Sequence, residues 1–279
     1  TTQEMADKMV GRVVHFNIDK QPQTPGKCVL KVEHLSVKNE QNVLKVNDFS
    51  FDIHAGEIVG IAGVDGNGQT ELVNAITGLG PVADGKITLC GQDITHASVS
   101  KRIAAGISHI PEDRQRRGLV LDFTLEENIV LGRCGSEPFS AHGVLKHDAM
   151  RAYADRIIEQ YDVRCGEGAR SKAGGLSGGN QQKAIVGREI ERPHELLIAF
   201  QPIRGMDVGS IEYIHNRLLD ERSRGKAVLL VSLELDEVLQ LSDRILAINQ
   251  GRLIGEVSQA EATESLVGHM MAGMEREAI

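Results

Sequence analysis

Apolar and polar residues alternate over 29–35 and again over 46–53, the period-two pattern of half-buried strands. Residues 57–62 form a short, mostly apolar run that ends in a glycine-rich loop, and a helical pattern follows over 69–79. Strand patterns recur at 85–90 and 107–110, the second leading into the charged loop 111–118. Helical periodicity covers 124–131 and 147–161, and a further helix starts at the glycines near 178. Apolar runs at 195–200 and 227–232 have the length of buried strands and flank a predicted helix over 209–223. Strand patterns at 243–249 and 253–257 close the series. Strands alternating with helices predict an α/β sheet protein. The helix-rich stretch of about 119–190 reads as an inserted helical subdomain. Pro22, Pro25 and Gly26 mark 13–27 as a linker, so the globular domain is expected to begin near Cys28. Met5, Met9, Val10 and Gly11 are echoed by Leu266, Met270, Met271 and Gly273, which predicts that residues 1 to about 12 are the tail of a preceding homologous domain.

Composition narrows the functional classes. Of 279 residues, 41% are hydrophobic, enough for a sizeable core. A net charge of −8 and only 3% aromatic residues argue against a general nucleic-acid binder. No apolar run approaches the roughly 20 residues of a membrane-spanning helix, and no signal-peptide pattern is present. Cys28, Cys90, Cys134 and Cys165 are scattered without a CxxC pair, which fits a reduced cytosolic protein better than a disulfide scaffold or a zinc site. The ten histidines show no ligand spacing either.

The chemistry lies in three strings. Leu176-Ser-Gly-Gly-Asn-Gln-Gln-Lys183 places an N-cap residue, Ser177, before two glycines and a helix. Gly178 and Gly179 admit close approach of an anion, and the helix start aims free N–H groups at it. Gly63-Val-Asp-Gly-Asn-Gly-Gln-Thr70 fits the phosphate-loop template GxxxxGK[ST] at every fixed position but one, because Gln69 stands where lysine belongs. Gly63, Asn67, Gly68, Gln69 and Thr70 would line a weak phosphate site there, with Thr70 a possible but weak ligand for Mg²⁺. Residues 196–207 form an apolar strand followed by Gln201-Pro202 and a loop ending in Asp207.

Together these strings resemble the ATP-binding domains of ABC transporters over nearly the whole chain, and among them the second, degenerate half of tandem importer ATPases for simple sugars and nucleosides. The resemblance implies an ABC-type P-loop fold with a mixed sheet core, an antiparallel β part and an inserted helical subdomain. It sets residues 1–27 apart as a tail and linker and 28–279 as the nucleotide-binding domain. It also assigns roles. Phe200 stands at the position of the Mg²⁺-holding aspartate and Gln201 at that of the glutamate that polarises water. Leu233 replaces the switch histidine, and Glu112, in Pro111-Glu-Asp-Arg114, stands where the family has glutamine. Between Val32 and Val46 no aromatic residue stands ready to face adenine. Ser177, Gly178, Gly179 and Gln181 would instead face an ATP held by a partner domain, with Asp207 in the adjoining D-loop.

Every group that would act on this domain's own ATP is thus altered, while those facing a partner's ATP remain. The resemblance implies a first ABC domain upstream in the same polypeptide, membrane permease subunits and, indirectly, an extracytoplasmic solute-binding protein. It further implies a peripheral position on the cytoplasmic face of the cell membrane, with the isolated domain inactive. The alternatives are a nucleotide-sensing regulatory ABC domain, which would need an intact phosphate loop, and a non-transport ABC ATPase, which would carry basic surfaces or long arms.

Overall fold

The computed structural model describes residues 20–39 and 41–276. The sequence echo in residues 1–12 lies outside them. Among the described residues the chain forms two compact units: one comprises 20–109, 194–201 and 215–276, and the other 110–193 and 202–214.

The first unit holds two sheets. Strands β1 (Cys28–Lys38) and β2 (Leu44–His54) pair antiparallel, and β4 (Asp84–Leu89) and β5 (Gln92–Asp93) extend the sheet in the order β2-β1-β4-β5. The second sheet runs β12-β11-β3-β10-β9-β6, from β3 (Ile58–Ala62), β6 (Ile107–Ile110), β9 (Leu196–Phe200), β10 (Ala227–Ser232), β11 (Arg244–Asn249) and β12 (Arg252–Ser258). β11, β3, β10 and β9 are parallel neighbours, and β12 turns back antiparallel at one edge. All residues of β3, β9 and β10 are buried, which is why these strands read as continuous apolar runs while β1 and β2 alternate. One hydrophobic cluster joins the sheets to helix α1 (Gln69–Thr77), with Leu30, Phe49, Ile61, Leu72, Ile76 and Leu229 in it.

α1 stops two residues short of the expected 79. Gly78 adopts φ 81°, a left-handed turn that glycine takes without a Cβ penalty, and its N–H caps the Asn74 carbonyl. Three helices had no clear periodic signal. α2 (Val99–Ala104) is short and capped by Ser98, whose side chain accepts from the Lys101 N–H. α7 (Leu235–Leu241) and α8 (Glu264–Met271) pack Val238, Val267 and Met270 into a second cluster with Ile245 and Val257.

In the second unit, α3 (Leu125–Ile129) opens with a capping box: Thr124 accepts from the Glu127 N–H, and Glu127 accepts from the Thr124 N–H. It ends earlier than the expected 131, before Gly132 at φ 81°. α4 (His147–Gln160) and α5 (Gly178–Glu191) approach closely at Gly187, where a Cβ would lie 2.7 Å from Ile157 Cγ2 and 3.0 Å from the Tyr161 ring. The stretch expected to be purely helical also contains a hairpin, β7 (Ser140–Ala141) with β8 (Val144–Leu145). Arg114–Gly118, expected as loop, forms a π-helical turn whose first N–H groups donate to Asp113. α6 (Val208–Ser223) starts in this unit. No described helix is long and apolar enough to cross a membrane.

Candidate functional site

The phosphate-loop string joins β3 to α1 as its template requires. Gly66 (φ 82°) and Gly68 (φ 104°) both need left-handed backbone, and a Cβ on Gly68 would sit 2.4 Å from the Lys45 carbonyl oxygen. Gln69 and Asn67 are turned onto the loop itself. Gln69 is only 4% exposed, and its amide donates to the Val64 carbonyl at 3.0 Å. Asn67 donates to the same carbonyl and accepts from the Gln250 N–H at 2.7 Å. Thr70 is half-buried at the start of α1. Gly63 is walled in, a Cβ there lying 2.5 Å from Ile248 Cγ2 and 2.7 Å from Gln69 Nε2. The loop therefore offers an anion backbone N–H groups and no side-chain cation of its own.

Phe200 closes β9 with its ring buried. Gln201 follows at φ 51°, buried, with its N–H on the Val231 carbonyl. Leu233, just beyond β10, is 40% exposed. None of the three carries a charge or a titrating group, so these positions supply neither a hard-cation ligand nor a base.

The string 176–183 is built differently. Ser177 is the N-cap of α5, its hydroxyl accepting from the Asn180 N–H (3.4 Å) and Asn180 Nδ2 (2.9 Å). Asn180 Oδ1 accepts from the Arg164 N–H at 2.9 Å, so the cap also fixes the incoming loop. Ser177 and Gly179 line an open cleft of about 550 Å³ together with Arg164, Lys183, Asp207 and Tyr213. A Cβ on Gly179 would meet only Ser210 Oγ at 3.6 Å and Asp207 Oδ2 at 3.7 Å, so the helix start faces free space bordered by one carboxylate. Asp207 caps α6, accepting from the Ser210 N–H at 3.0 Å and the Ser210 hydroxyl at 2.8 Å. Burial raises the Asp207 carboxyl, but the hydrogen bonds from Ser210 together with those from the Asp207 and Gly209 backbone N–H groups outweigh it and hold the group below the usual carboxylate range.

Two glutamines of the same string do not face this cleft. Gln181 is 1% exposed, donating to the Ala173 carbonyl at 3.0 Å and accepting from Gln115 Nε2. Gln181, expected to face a partner's ATP, is thus buried beneath the loop and does not line the cleft, with one bond made at each end of its amide. Gln182 donates to the Pro202 carbonyl at 2.8 Å and so ties α5 to the loop that leads to Asp207. Gly178 faces Arg114: a Cβ there would lie 2.6 Å from Arg114 Nη2. Arg114 Nη1 donates to the Arg204 carbonyl in that same loop, and its buried Nε meets no acceptor among the described residues. Arg114, Gln182 and Lys183 lie in strings quoted above but carried no assigned role, and Arg164 lies outside those strings. For Gln181 and Gln182 the signal was two amides on a helix otherwise packed by Ala184, Ile185 and Val186.

A family model described as "ABC transporter" matches residues 46–203. The chain belongs to the ABC transporter family. Among curated proteins it is similar to the guanosine import ATP-binding protein NupO of Bacillus subtilis, 50% identical over 97% of this chain and 53% of that one. It is similar as well to the nucleoside import ATP-binding protein NupA of Lactococcus lactis, 49% identical over 98% of this chain and 54% of that one. The glucose import ATP-binding protein TsgD13 of Haloferax volcanii is 40% identical over 97% and 49% of the two chains. The chain thus spans about half the length of the curated relatives it matches. Two solved ABC cassettes share its fold. A nucleotide-free ATP-binding cassette has a TM-score of 0.70 at 24% identity, covering 83% of this chain and 92% of that one. A cassette in its ADP conformation has a TM-score of 0.70 at 22% identity, covering 88% and 95%. The fold is that of an ABC ATP-binding cassette, with mixed sheets and a helical subdomain.

Proposed function

We propose that this chain is the ATP-binding part of an importer for a nucleoside or simple sugar, and that it works by completing an ATP site held by another ABC domain. One observation carries the reading: Ser177 and Gly179 open a helix start onto a free cleft, whereas Gln69 folds its amide back onto its own loop. In this reading the cleft receives the phosphates of a partner's ATP. The N–H groups at the start of α5 and the positive end of its dipole meet that charge. Asp207 holds the start of α6 against the same space. The chain's own loop keeps nucleotide weakly, if at all, because Gln69, Phe200 and Gln201 give it neither a side-chain cation nor a Mg²⁺-binding carboxylate, and hydrolysis there is absent. When bound, MgATP supplies the phosphoryl group and its charge. This chain's residues position it and contribute backbone donors.

The substrate class rests on the import functions named for the relatives at 50%, 49% and 40% identity. The same reading assigns residues 1–27 to the end of a preceding ABC domain and linker, and 28–279 to the ABC domain itself. It places the protein at the cytoplasmic face of a membrane, against permease subunits fed by a solute-binding protein. It also places a first ABC domain upstream on the same polypeptide.

The test is nucleotide chemistry on the purified chain. Phosphoryl transfer depends on positioned charge, and each missing group is worth several kcal/mol in the transition state. The chain is expected to release phosphate at background rate. Loss of two charge-assisted contacts, about 3–5 kcal/mol, moves a micromolar site towards millimolar. Calorimetry is therefore expected to show little MgATP heat below about 0.1 mM. Mg²⁺-dependent turnover near 1 s⁻¹ would overturn the division of labour, and a low-micromolar constant without turnover would favour a nucleotide sensor.

A further inference from the structure

On the antiparallel sheet, outside the strings discussed above, three residues of different ligand chemistry converge. Cys28 and His54 are directly opposite one another in the β1–β2 ladder, and Asp52 lies two positions before His54, on the same face of β2. One ligand atom from each (the Cys28 thiol sulfur, an Asp52 carboxylate oxygen and a His54 ring nitrogen) lies within 4.8 Å of the other two. His54 Nε2 and Asp52 Oδ2 are 3.8 Å apart. Zinc bonds of roughly 2.0–2.3 Å place tetrahedral ligands roughly 3.5 Å from one another, so small rotations of the exposed Cys28 and half-buried Asp52 and His54 side chains close this set on one ion.

Two further features suit a cation. First, the ligands are already oriented from behind. The buried Glu57 carboxylate accepts the His54 backbone N–H at 2.9 Å and lies 3.5 Å from Nδ1, which sets the carboxylate on the Nδ1 side of the ring and leaves Nε2 towards Asp52. Arg244 holds Asp52 through Oδ1 at 3.1 Å, which turns Oδ2 towards His54. Second, the charge is unbalanced. Arg244 is shared among Asp52, Glu57 and Glu256, one guanidinium for three carboxylates. The nearby Lys31 is engaged with Glu33 at 2.7 Å.

We propose that Cys28, Asp52 and His54 form a binding site for a single borderline-soft divalent cation of the zinc class, with the fourth position open to water. A thiolate, an imidazole and a carboxylate are the donors such an ion selects, whereas Mg²⁺ and Ca²⁺ take oxygen alone. Binding releases the thiol proton to solvent as the sulfur–metal bond forms. The ion bridges β1 and β2 at the end of the ladder and stabilises the folded chain by mass action.

The test uses the reduced, chelator-stripped protein and Co²⁺ as the probe, followed by Zn²⁺ competition. Wild type is expected to bind one Co²⁺ with a thiolate-to-metal charge-transfer band that Zn²⁺ abolishes. Cys28→Ser, at an exposed position, should remove the band. His54→Ala should weaken Zn²⁺ binding at least about 10-fold, and Cys165→Ser should change neither. Absence of the band in the wild type overturns the proposal. So does a band that survives Cys28→Ser, or Zn²⁺ affinity equal in wild type and Cys28→Ser, the mark of an adventitious ion only. If His54→Ala fails to fold, the Cys28→Ser result decides alone.

Discussion

The two glycine-rich helix starts, 63–70 and 176–183, use the same backbone device and differ in where their side chains go. In the first, Gln69 and Asn67 both donate to the Val64 carbonyl, and Gly63 is walled by Ile248. In the second, Ser177 bonds Asn180, Asn180 bonds the incoming loop at Arg164, and Gly179 opens onto a cleft. A loop that satisfies itself is a scaffold, and a helix start that leaves its N–H groups facing space is a receptor. The difference teaches that a motif can keep its shape after its chemistry has gone, and that the surviving chemistry is found by asking which polar groups still have room for a ligand.

The strongest way to break this contrast is Ser177→Arg. It removes the α5 cap and puts a bulky side chain into the cleft where phosphates are proposed to dock. Uptake by the assembled transporter is expected to fall by about 100-fold or more, the scale for losing preorganised donors. The cap itself contributes only about 1 kcal/mol, so the purified variant should still fold by circular dichroism.

Stability measurements sharpen the other half of the comparison. Gly68→Ala forces a Cβ to within 2.4 Å of a backbone oxygen at φ 104° and is expected to cost about 2 kcal/mol or more in denaturant unfolding. Gly66→Ala, where nothing lies within 4 Å, should cost about 1–2 kcal/mol from the left-handed backbone alone. Equal costs would mean that the loop is looser than its packing indicates.

Asp207 gives a pH signature. Its folded-state carboxyl titrates below the usual range, so its contribution is full above the ordinary carboxylate pKa and is lost as pH falls through the lowered value. Asp207→Ala should lower the melting temperature at neutral pH, and the gap from wild type should close under acid. A gap that widens on acidification would contradict the capping role. The smallest effect is expected from Gln69→Lys. Restoring the template lysine leaves Phe200 and Gln201 in place, so phosphate release by the purified chain should stay at background.

Much of this architecture was legible from sequence because it rests on local rules. β3, β9 and β10 announced themselves as apolar runs, and Ser177 as a cap. What escaped depended on contacts distant in sequence. α2 and α7 are short, and their burial comes from neighbours and not from periodicity. Gln181 looked like a ligand residue because it belongs to a motif, yet its amide spans Ala173 and Gln115. Arg114 had no signal beyond being a cation in a charged loop, and only the geometry sets it against Gly178 and the Arg204 carbonyl. The pairing of Cys28 with His54 is likewise a fact of strand register, invisible to spacing.

The central claim is that the cleft at Ser177 and Gly179 works while the loop at Gln69 does not. Gly179→Asp places a carboxylate beside Asp207, at the mouth of a helix start that favours anions. Gln69→Ala removes one amide from a loop that binds itself. The measurement is the ATPase rate of the assembled transporter carrying each change, with folding checked by circular dichroism. The account predicts that Gly179→Asp loses most of the activity, about 100-fold, and that Gln69→Ala keeps most of it. Equal loss from both, or a greater loss from Gln69→Ala, would contradict the account and make the loop at 63–70 the working site.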